Sequence, residues 1–338
     1  MAEPAGWRPA ALNNGWTYCD RVRSEEQSAR LSDVMERRHR HSCAAIWQQR
    51  MASGEITLNG LDCPDDVEVN AGDWIRWARP PWVEAAVPDQ WEIIHDDGDV
   101  LVVNKPSGLP VMPGGGFLTH TLTSLLERRS RSVGEALVPK PIHRLGRFTS
   151  GLQVCARRPE TRAALSKQFR PEGDCRKTYL ALTQRMESLQ QGQTLVVQSD
   201  VVERQHPLLG WMWGPEPTMP EPLRKRLSAH SSVQLRERRE TADLLEVLIH
   251  TGRPHQIRIH LAQQGCPLLG DPLYQSDQGL SATATPGDGG YQLHAWRLEG
   301  LDWPPTKLLS LHAQPPKLLR EKNGAGPCRD DRRQTRHC

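Results

Sequence analysis

The sequence predicts an α+β protein: a mixed β-sheet surrounded by helices and loops, preceded by a smaller α+β module. Three observations carry this reading. From Trp91 onward, runs with the two-residue period of strands alternate with runs of helical period, in no regular strand–helix–strand rhythm. Before Trp82 there is a separate, shorter set of both kinds of run. A Pro-rich stretch, from Arg79-Pro80-Pro81-Trp82 to Pro88, stands between the two. The chain has 338 residues, enough for about two domains. With 37% apolar residues and a formal net charge of +3, it can build a buried core, and disorder of the whole chain is excluded.

Residues 1–27, rich in Gly, Asn and Pro, are expected to be an extension. Residues 28–83 then read as the small module. Leu31, Val34 and Met35 recur at helical spacing, as do Ala45, Ile46 and Met51, and Gly54 stands where the second helix should stop. Ile56 and Leu58 alternate with polar residues, and Asn59-Gly60 signals a tight turn. Val67 and Val69, then Trp74 to Trp77, continue in strand period. Residues 84–90 are expected to be a linker that leaves the module poorly fixed to the rest.

The large domain is placed at 91–318. Its strands are expected at Val100 to Val103, Leu152 to Cys155, Tyr179 to Leu182, Thr194 to Val197 and Leu244 to Ile249. Helices are expected around Thr121 to Arg128, Glu160 to Phe169 and Gln256 to Gln264. Residues 319–338 are basic and poor in apolar side chains, and are expected to form a disordered tail. The eight cysteines are scattered, with no close pair of the kind that binds zinc or cycles redox state. The opening residues carry no secretory signal pattern, so reduced thiols and a cytoplasmic location are expected. No apolar run approaches the length of a membrane span, and no membrane partner is expected.

Chemistry concentrates in three places. Thr251 to Gln275 reads TGRPHQIRIHLAQQGCPLLGDPLYQ, with Arg253, His255, Arg258 and His260 at the start of a helix. Arginine and histidine at a helix N-terminus suit phosphate groups, because the free backbone N–H groups point there too. Taken alone, the stretch fits a solvated basic helix face equally well. A metal site is disfavoured, because His255 and His260 are five residues apart and no acidic third ligand is evident. Pro141 to Arg157 places His143, Arg144 and Arg147 around Gly146, before a strand. Arg176-Lys177-Thr178-Tyr179 is a basic entry into another strand, where a tyrosine is ordinarily a packing residue. The run Gly114-Gly115-Gly116 lacks the Lys-Ser/Thr ending of a phosphate-binding loop.

The order of these pieces is more specific than any one of them. Asn104-Lys105-Pro106-Ser107-Gly108, HRLGRFTSGL, RKTYLAL, TGRPHQIRIH with GCPLLGDPLY, and Leu293-His294-Ala295 follow one another between Trp91 and His312. This series resembles the RNA pseudouridine synthases of the RluA type. The first block, with GEITLNG and GDWIRW, resembles the small RNA-binding module of a ribosomal small-subunit protein, with HSCAAIWQQR where that module carries a Ser-Arg-Ser signature.

The resemblance implies the pseudouridine synthase fold and the isomerisation of uridine to pseudouridine in ribosomal or transfer RNA. It implies neither metal nor organic cofactor. The expected partner is structured RNA rather than DNA, and the chain is expected to be a monomer. The target nucleotide must leave the base stack, since the reacting bond is inaccessible within a helix. By the same resemblance, Tyr179 stacks on the extruded base and is placed for proton transfer, and Arg258 pairs with the catalytic carboxylate. Ile257 packs on the base, and Arg144 lies near the space the base vacates. Arg147, Arg253 and His255 join them in an RNA-binding cleft.

The family's nucleophile is the Asp of a His-Arg-Leu-Asp motif, and here the motif reads His143-Arg144-Leu145-Gly146. Asp174 and Asp271 are the substitutes by sequence neighbourhood. Two readings follow: a synthase with altered apparatus, or a catalytically silent relative that binds RNA. A metal-dependent hydrolase fails on histidine spacing and leaves the other motifs without explanation.

Overall fold

The computed structural model describes residues 6–276, 279–303 and 306–322, and has the α+β architecture read from the sequence. In the small module, helix α1 (Leu31–Arg38) buries Leu31, Val34 and Met35, and helix α2 (Ala44–Ala52) buries Trp47 and Met51. They pack on a four-stranded sheet whose order is Trp16–Arg21, Trp74–Arg79, Ile56–Leu58, Leu61–Asp62, all pairs antiparallel. Trp47 and Trp77 meet edge to face at 4.7 Å in the middle of this core. Asn59 and Gly60 both take positive φ, as the two-residue hairpin requires. Val67 and Val69 form no strand; they bond to the backbone of Ser28, Ala29 and Leu31 across a single bridge.

Two boundaries differ from the reading of the sequence. Trp16–Arg21 lies within the expected extension, yet it pairs along its whole length with Trp74–Arg79 and belongs to the module. Its alternation is short, with Trp16 and Tyr18 the only aromatic positions before Asp20 breaks the pattern, and the strand has little burial. The stretch 84–90 is not a free linker. Ala11–Leu12 pairs with Val83–Glu84, and Trp7–Arg8 pairs with Val87–Pro88.

Glu84 locks this clasp. Its carboxylate is fully buried and accepts hydrogen bonds from the backbone N–H groups of Leu118, Thr119 and His120, and from the amide of Asn13. Burial opposes its charge, but these donors prevail and hold the carboxyl below the usual carboxylate range. Composition could not show this, because the partners lie 34 to 71 residues away.

The large sheet has eleven strands. Its main path runs Gly210–Pro215, Thr194–His206, Leu223–Arg238, Asp243–Ile249, Arg176–Thr183, Leu293–Trp303, Thr149–Ala156, Val100–Lys105, Glu92–Asp96. Lys140–Pro141 joins Thr149–Ala156, and Thr306–His312 joins Leu293–Trp303. Every pairing is antiparallel except one: Thr149, Ser150 and Gly151 run parallel to Leu293, His294 and Ala295. Gly151 makes that approach possible, since a Cβ there would lie 2.2 Å from the Ala295 carbonyl oxygen. Two strands that start side by side bring their preceding loops together, so the loop ending at Phe148 meets the segment ending at Gln292.

Helices α3 (Leu122–Ser132), α4 (Pro159–Gln168) and α5 (Gln256–Gln263) complete the domain. The sixteen-residue strand Leu223–Arg238 and the edge strand Gly210–Pro215, which flank Thr194–His206 on its two sides, were not anticipated. The buried positions of the longer strand include Ala229 and Ser231, which give a weak alternation signal. The tail begins later than residue 319: Leu319 is 1% exposed and packs with Leu180, Leu182 and Leu244. The rest of the expected tail, from residue 323, lies outside the described residues. Among the described residues no helix is long and apolar enough to cross a membrane.

Replacing Glu84 by alanine would leave several buried donors without partners, at about 1–3 kcal/mol for each. Glu84→Ala is therefore expected to lower stability by about 3 kcal/mol or more in denaturant melts. It should also open residues 81–90 to limited proteolysis, while the natural chain resists there. Equal cleavage of both would show that the clasp does not hold.

Candidate active site

A cleft of about 600 Å³ lies between the sheet and the start of α5. The turn into α5 is built by Gln256. Its side-chain carbonyl accepts from the Arg253 N–H and the Thr251 hydroxyl, and its amide donates to the His230 carbonyl and the Ser231 hydroxyl. His255 adopts φ 54°, a left-handed conformation uncommon for a side-chain-bearing residue and held here by its surroundings. The Tyr274 hydroxyl donates to the Trp213 carbonyl at 2.7 Å, so it accepts from His255 Nδ1 at 2.6 Å. His255 is thus a neutral imidazole, pushed down to about 3 by burial and by the neighbouring Arg258 cation. Ile257 follows on the first turn of α5 and lines the cleft.

Arg258 is fixed from several sides. Nε and Nη2 bond to the two carboxylate oxygens of Asp271 at 2.7 and 2.8 Å, with side-chain exposures of 3% and 1%. Asp271 Oδ1 also accepts from the backbone of Leu273 and Tyr274. The guanidinium lies 4.1 Å from the ring centre of Tyr291 and 4.9 Å from that of Tyr274. The cation therefore has its carboxylate, and it is Asp271. That carboxylate sits behind Arg258 and does not line the cleft; neither does Asp174, which is exposed. Among the described residues, no Asp or Glu lines it.

The loop before Thr149 supplies the opposite wall. His143 Nε2 accepts from the Val154 N–H at 3.0 Å, and its ring stacks on Phe169 at 4.4 Å. Burial, with Lys177 nearby, pushes it down to about 3. Leu145 packs with Val111, Ala295 and Tyr179. Arg144 is exposed at the rim and makes no hydrogen bond or ion pair among the described residues. Gly146 lines the cleft, and a Cβ on it would lie 2.4 Å from the Tyr291 hydroxyl. Tyr179 is half-buried; burial pushes its phenol up, and its hydroxyl has no partner among the described residues.

Seven of the eight residues singled out from the sequence thus share one cleft: Arg144, Gly146, Tyr179, Arg253, His255, Ile257 and Arg258. Arg147 does not. Its guanidinium donates to the carbonyls of Gly108 and Gly287 and lies over the rings of Phe117 and Phe148. It braces loops behind the wall, alongside the buried Lys105, whose ammonium donates to the carbonyls of Pro106, Leu109 and Arg147.

Lys177 and Tyr291 are among the lining residues to which the reading of the sequence gave no role. Lys177, bonded to the Phe169 carbonyl at 2.8 Å, lay in a quoted motif without a role. Tyr291 stands two residues before Leu293-His294-Ala295. Its signal was available: a motif that has lost a side chain invites a search for the group that fills the space.

The buried histidines set an acid limit. His260 and His294 are fully buried, and burial pushes each down to about 4. His143 and His255 shift the same way. An unfolded histidine takes up its proton near pH 6.5, so from there down toward pH 4 the unfolded state binds more protons. Stability is therefore full above about pH 6.5 and declines with acidification at about 1.4 kcal/mol per pH unit for each such histidine. Thermal melts at pH 7 and pH 5 should show a lower Tm at pH 5; an unchanged Tm would contradict this.

Comparison with known proteins agrees with this geometry. Residues 99–263 match a family model described as RNA pseudouridylate synthase. The chain is 37% identical over 303 residues to an uncharacterized RNA pseudouridine synthase of Synechocystis, covering 86% of this chain and 95% of that one. It is 31% identical to RNA pseudouridine synthase 5 of Arabidopsis thaliana, covering 85% and 89%. It is 34% identical to ribosomal large subunit pseudouridine synthase D of Xylella fastidiosa, covering 66% and 64%. Among solved structures, human RNA pseudouridylate synthase domain containing 4 superposes with a TM-score of 0.50 at 25% identity, covering 68% of this chain and 90% of that one. The sheet, the ordered motifs gathered at one cleft and these relatives together place the chain in the RNA pseudouridine synthase family.

Proposed function

We propose that this chain isomerises uridine to pseudouridine in structured RNA, with ribosomal or transfer RNA as the substrate class, as a cytoplasmic monomer needing no metal or organic cofactor. The observation that carries this is the cleft itself. Tyr179, Ile257 and Leu293 offer a ring and apolar side chains on which an extruded pyrimidine can stack, while Arg144 and Arg253 stand at the rim where phosphates would pass. Arg253 Nε already donates to the Ser228 carbonyl at 2.9 Å, which fixes its direction. The small module would add a second RNA contact.

One observation favours a second reading, that of a catalytically silent RNA binder. Position 146 carries no side chain, and no carboxylate lines the cleft among the described residues. Loss of a nucleophile with nothing in its place ordinarily removes most of the rate.

Release of tritium from uracil-labelled total RNA, taken from a strain lacking the gene, separates the two. The synthase reading expects release by the natural chain and a loss of about a hundredfold or more in Tyr179→Phe, the scale of a positioned acid–base group. No release, with RNA binding retained, supports the binder.

Under both readings affinity for structured RNA falls as salt rises, through counterion release. Arg144→Ala should lessen the log–log salt slope by about one, the share of one phosphate contact. A slope unchanged by that substitution would remove Arg144 from the RNA path.

A further inference from the structure

Gly146 has no conformational need to be glycine. It is absent from the positions with positive φ, so an alanine or aspartate could adopt its backbone. What excludes a side chain is one atom. A Cβ would meet the Tyr291 hydroxyl oxygen at 2.4 Å, whereas the next atom of that ring, Cζ, would lie at an ordinary 3.7 Å and Thr149 Oγ1 at 3.3 Å. The hydroxyl of Tyr291 thus occupies the entry to the volume that a side chain at 146 would fill.

That hydroxyl is firmly placed and weakly engaged. Tyr291 is 2% exposed, with the Arg258 guanidinium over its ring and Phe148 against it at 5.9 Å, edge to face. Among the described residues its only hydrogen bond is with Thr149 Oγ1 at 3.4 Å, long for a hydroxyl pair. A buried hydroxyl held by packing and short of partners is preorganised to bond a ligand in the cleft.

Resting on the synthase reading, we propose that Tyr291 is a substrate-contacting residue: its hydroxyl hydrogen-bonds the extruded nucleotide from the place where position 146 bears no side chain. Residues 146 and 291 form one exclusive pair, in which either the hydroxyl or a side chain at 146 is present. No covalent step is assigned to the hydroxyl. Three of the four tyrosines of the chain, Tyr179, Tyr274 and Tyr291, are gathered around this cleft and its arginine, so phenols supply polar groups where, among the described residues, no carboxylate lines it.

The test uses four full-length proteins: the natural chain, Gly146→Ala, Tyr291→Phe and the double variant. Denaturant melts read the pair. Gly146→Ala should be clearly destabilising beside the Tyr291 hydroxyl and nearly neutral in the Tyr291→Phe background. Binding reads the contact, with two RNA hairpins as probes, one carrying a single unpaired uridine and one fully paired with no nucleotide to extrude. Tyr291→Phe should keep the natural Tm and weaken binding of the first hairpin about tenfold, the scale of one hydrogen bond, while leaving the second unchanged.

Equal effects of Gly146→Ala in both backgrounds would overturn the pair. Unaltered affinity of Tyr291→Phe for the uridine hairpin, or failure of the natural chain to prefer that hairpin, would overturn the contact. Absence of turnover in the natural chain would overturn the isomerase reading alone, since neither measurement depends on turnover.

Discussion

The buried ion pair of Arg258 and Asp271 is the constraint on which the cleft depends. A guanidinium placed this deep in a protein needs a partner, and removing one member of such a pair ordinarily destabilises by about 3–5 kcal/mol. Both oxygens of Asp271 are engaged by Arg258, and one also caps the turn to Tyr274. The pair therefore ties the first turn of α5 to the GDPLY turn. The rings of Tyr274 and Tyr291 settle on the cation, and the Tyr274 hydroxyl in turn orients His255. Geometry across the cleft is passed along this chain of contacts rather than set by separate residues.

The ion pair also explains how the site tolerates glycine at 146. An arginine whose charge is already balanced from behind does not require a carboxylate in front. The space in front is then open to a neutral group, and the parallel meeting of Thr149–Ala156 with Leu293–Trp303 delivers Tyr291 to it. The change at 146 reads as one part of a rearranged site rather than as a gap in an otherwise unaltered one.

Much of this was legible in the sequence, for identifiable reasons. A strand buried on both faces, Val100–Lys105, announces itself by the apolar run Val100 to Val103, and α3, α4 and α5 by periodicity. The cleft was legible because its residues cluster in short motifs: Arg144 with Gly146, Lys177 with Tyr179, and Arg253 through Arg258. What stayed hidden depended on long-range partners. Glu84 looks like a surface acid in a Pro-rich stretch until the N–H groups of Leu118 to His120 close on it. Arg147 looks like its neighbour Arg144, yet carbonyls on two distant loops draw it away from the cleft. The role of Asp271 was ambiguous because proximity in sequence to Arg258 does not say which side of the arginine it takes.

The central claim is that this cleft receives an extruded uridine and meets it with phenols rather than a carboxylate. It is tested most directly by a crystal structure of the full chain bound to an RNA hairpin with one unpaired uridine. The account predicts the uracil against Tyr179 and Ile257, the Tyr291 hydroxyl within about 3.2 Å of a polar atom of that nucleotide, and Asp271 still on Arg258. A uridine left in the RNA stack, or Asp271 swung forward onto the nucleotide, would contradict it.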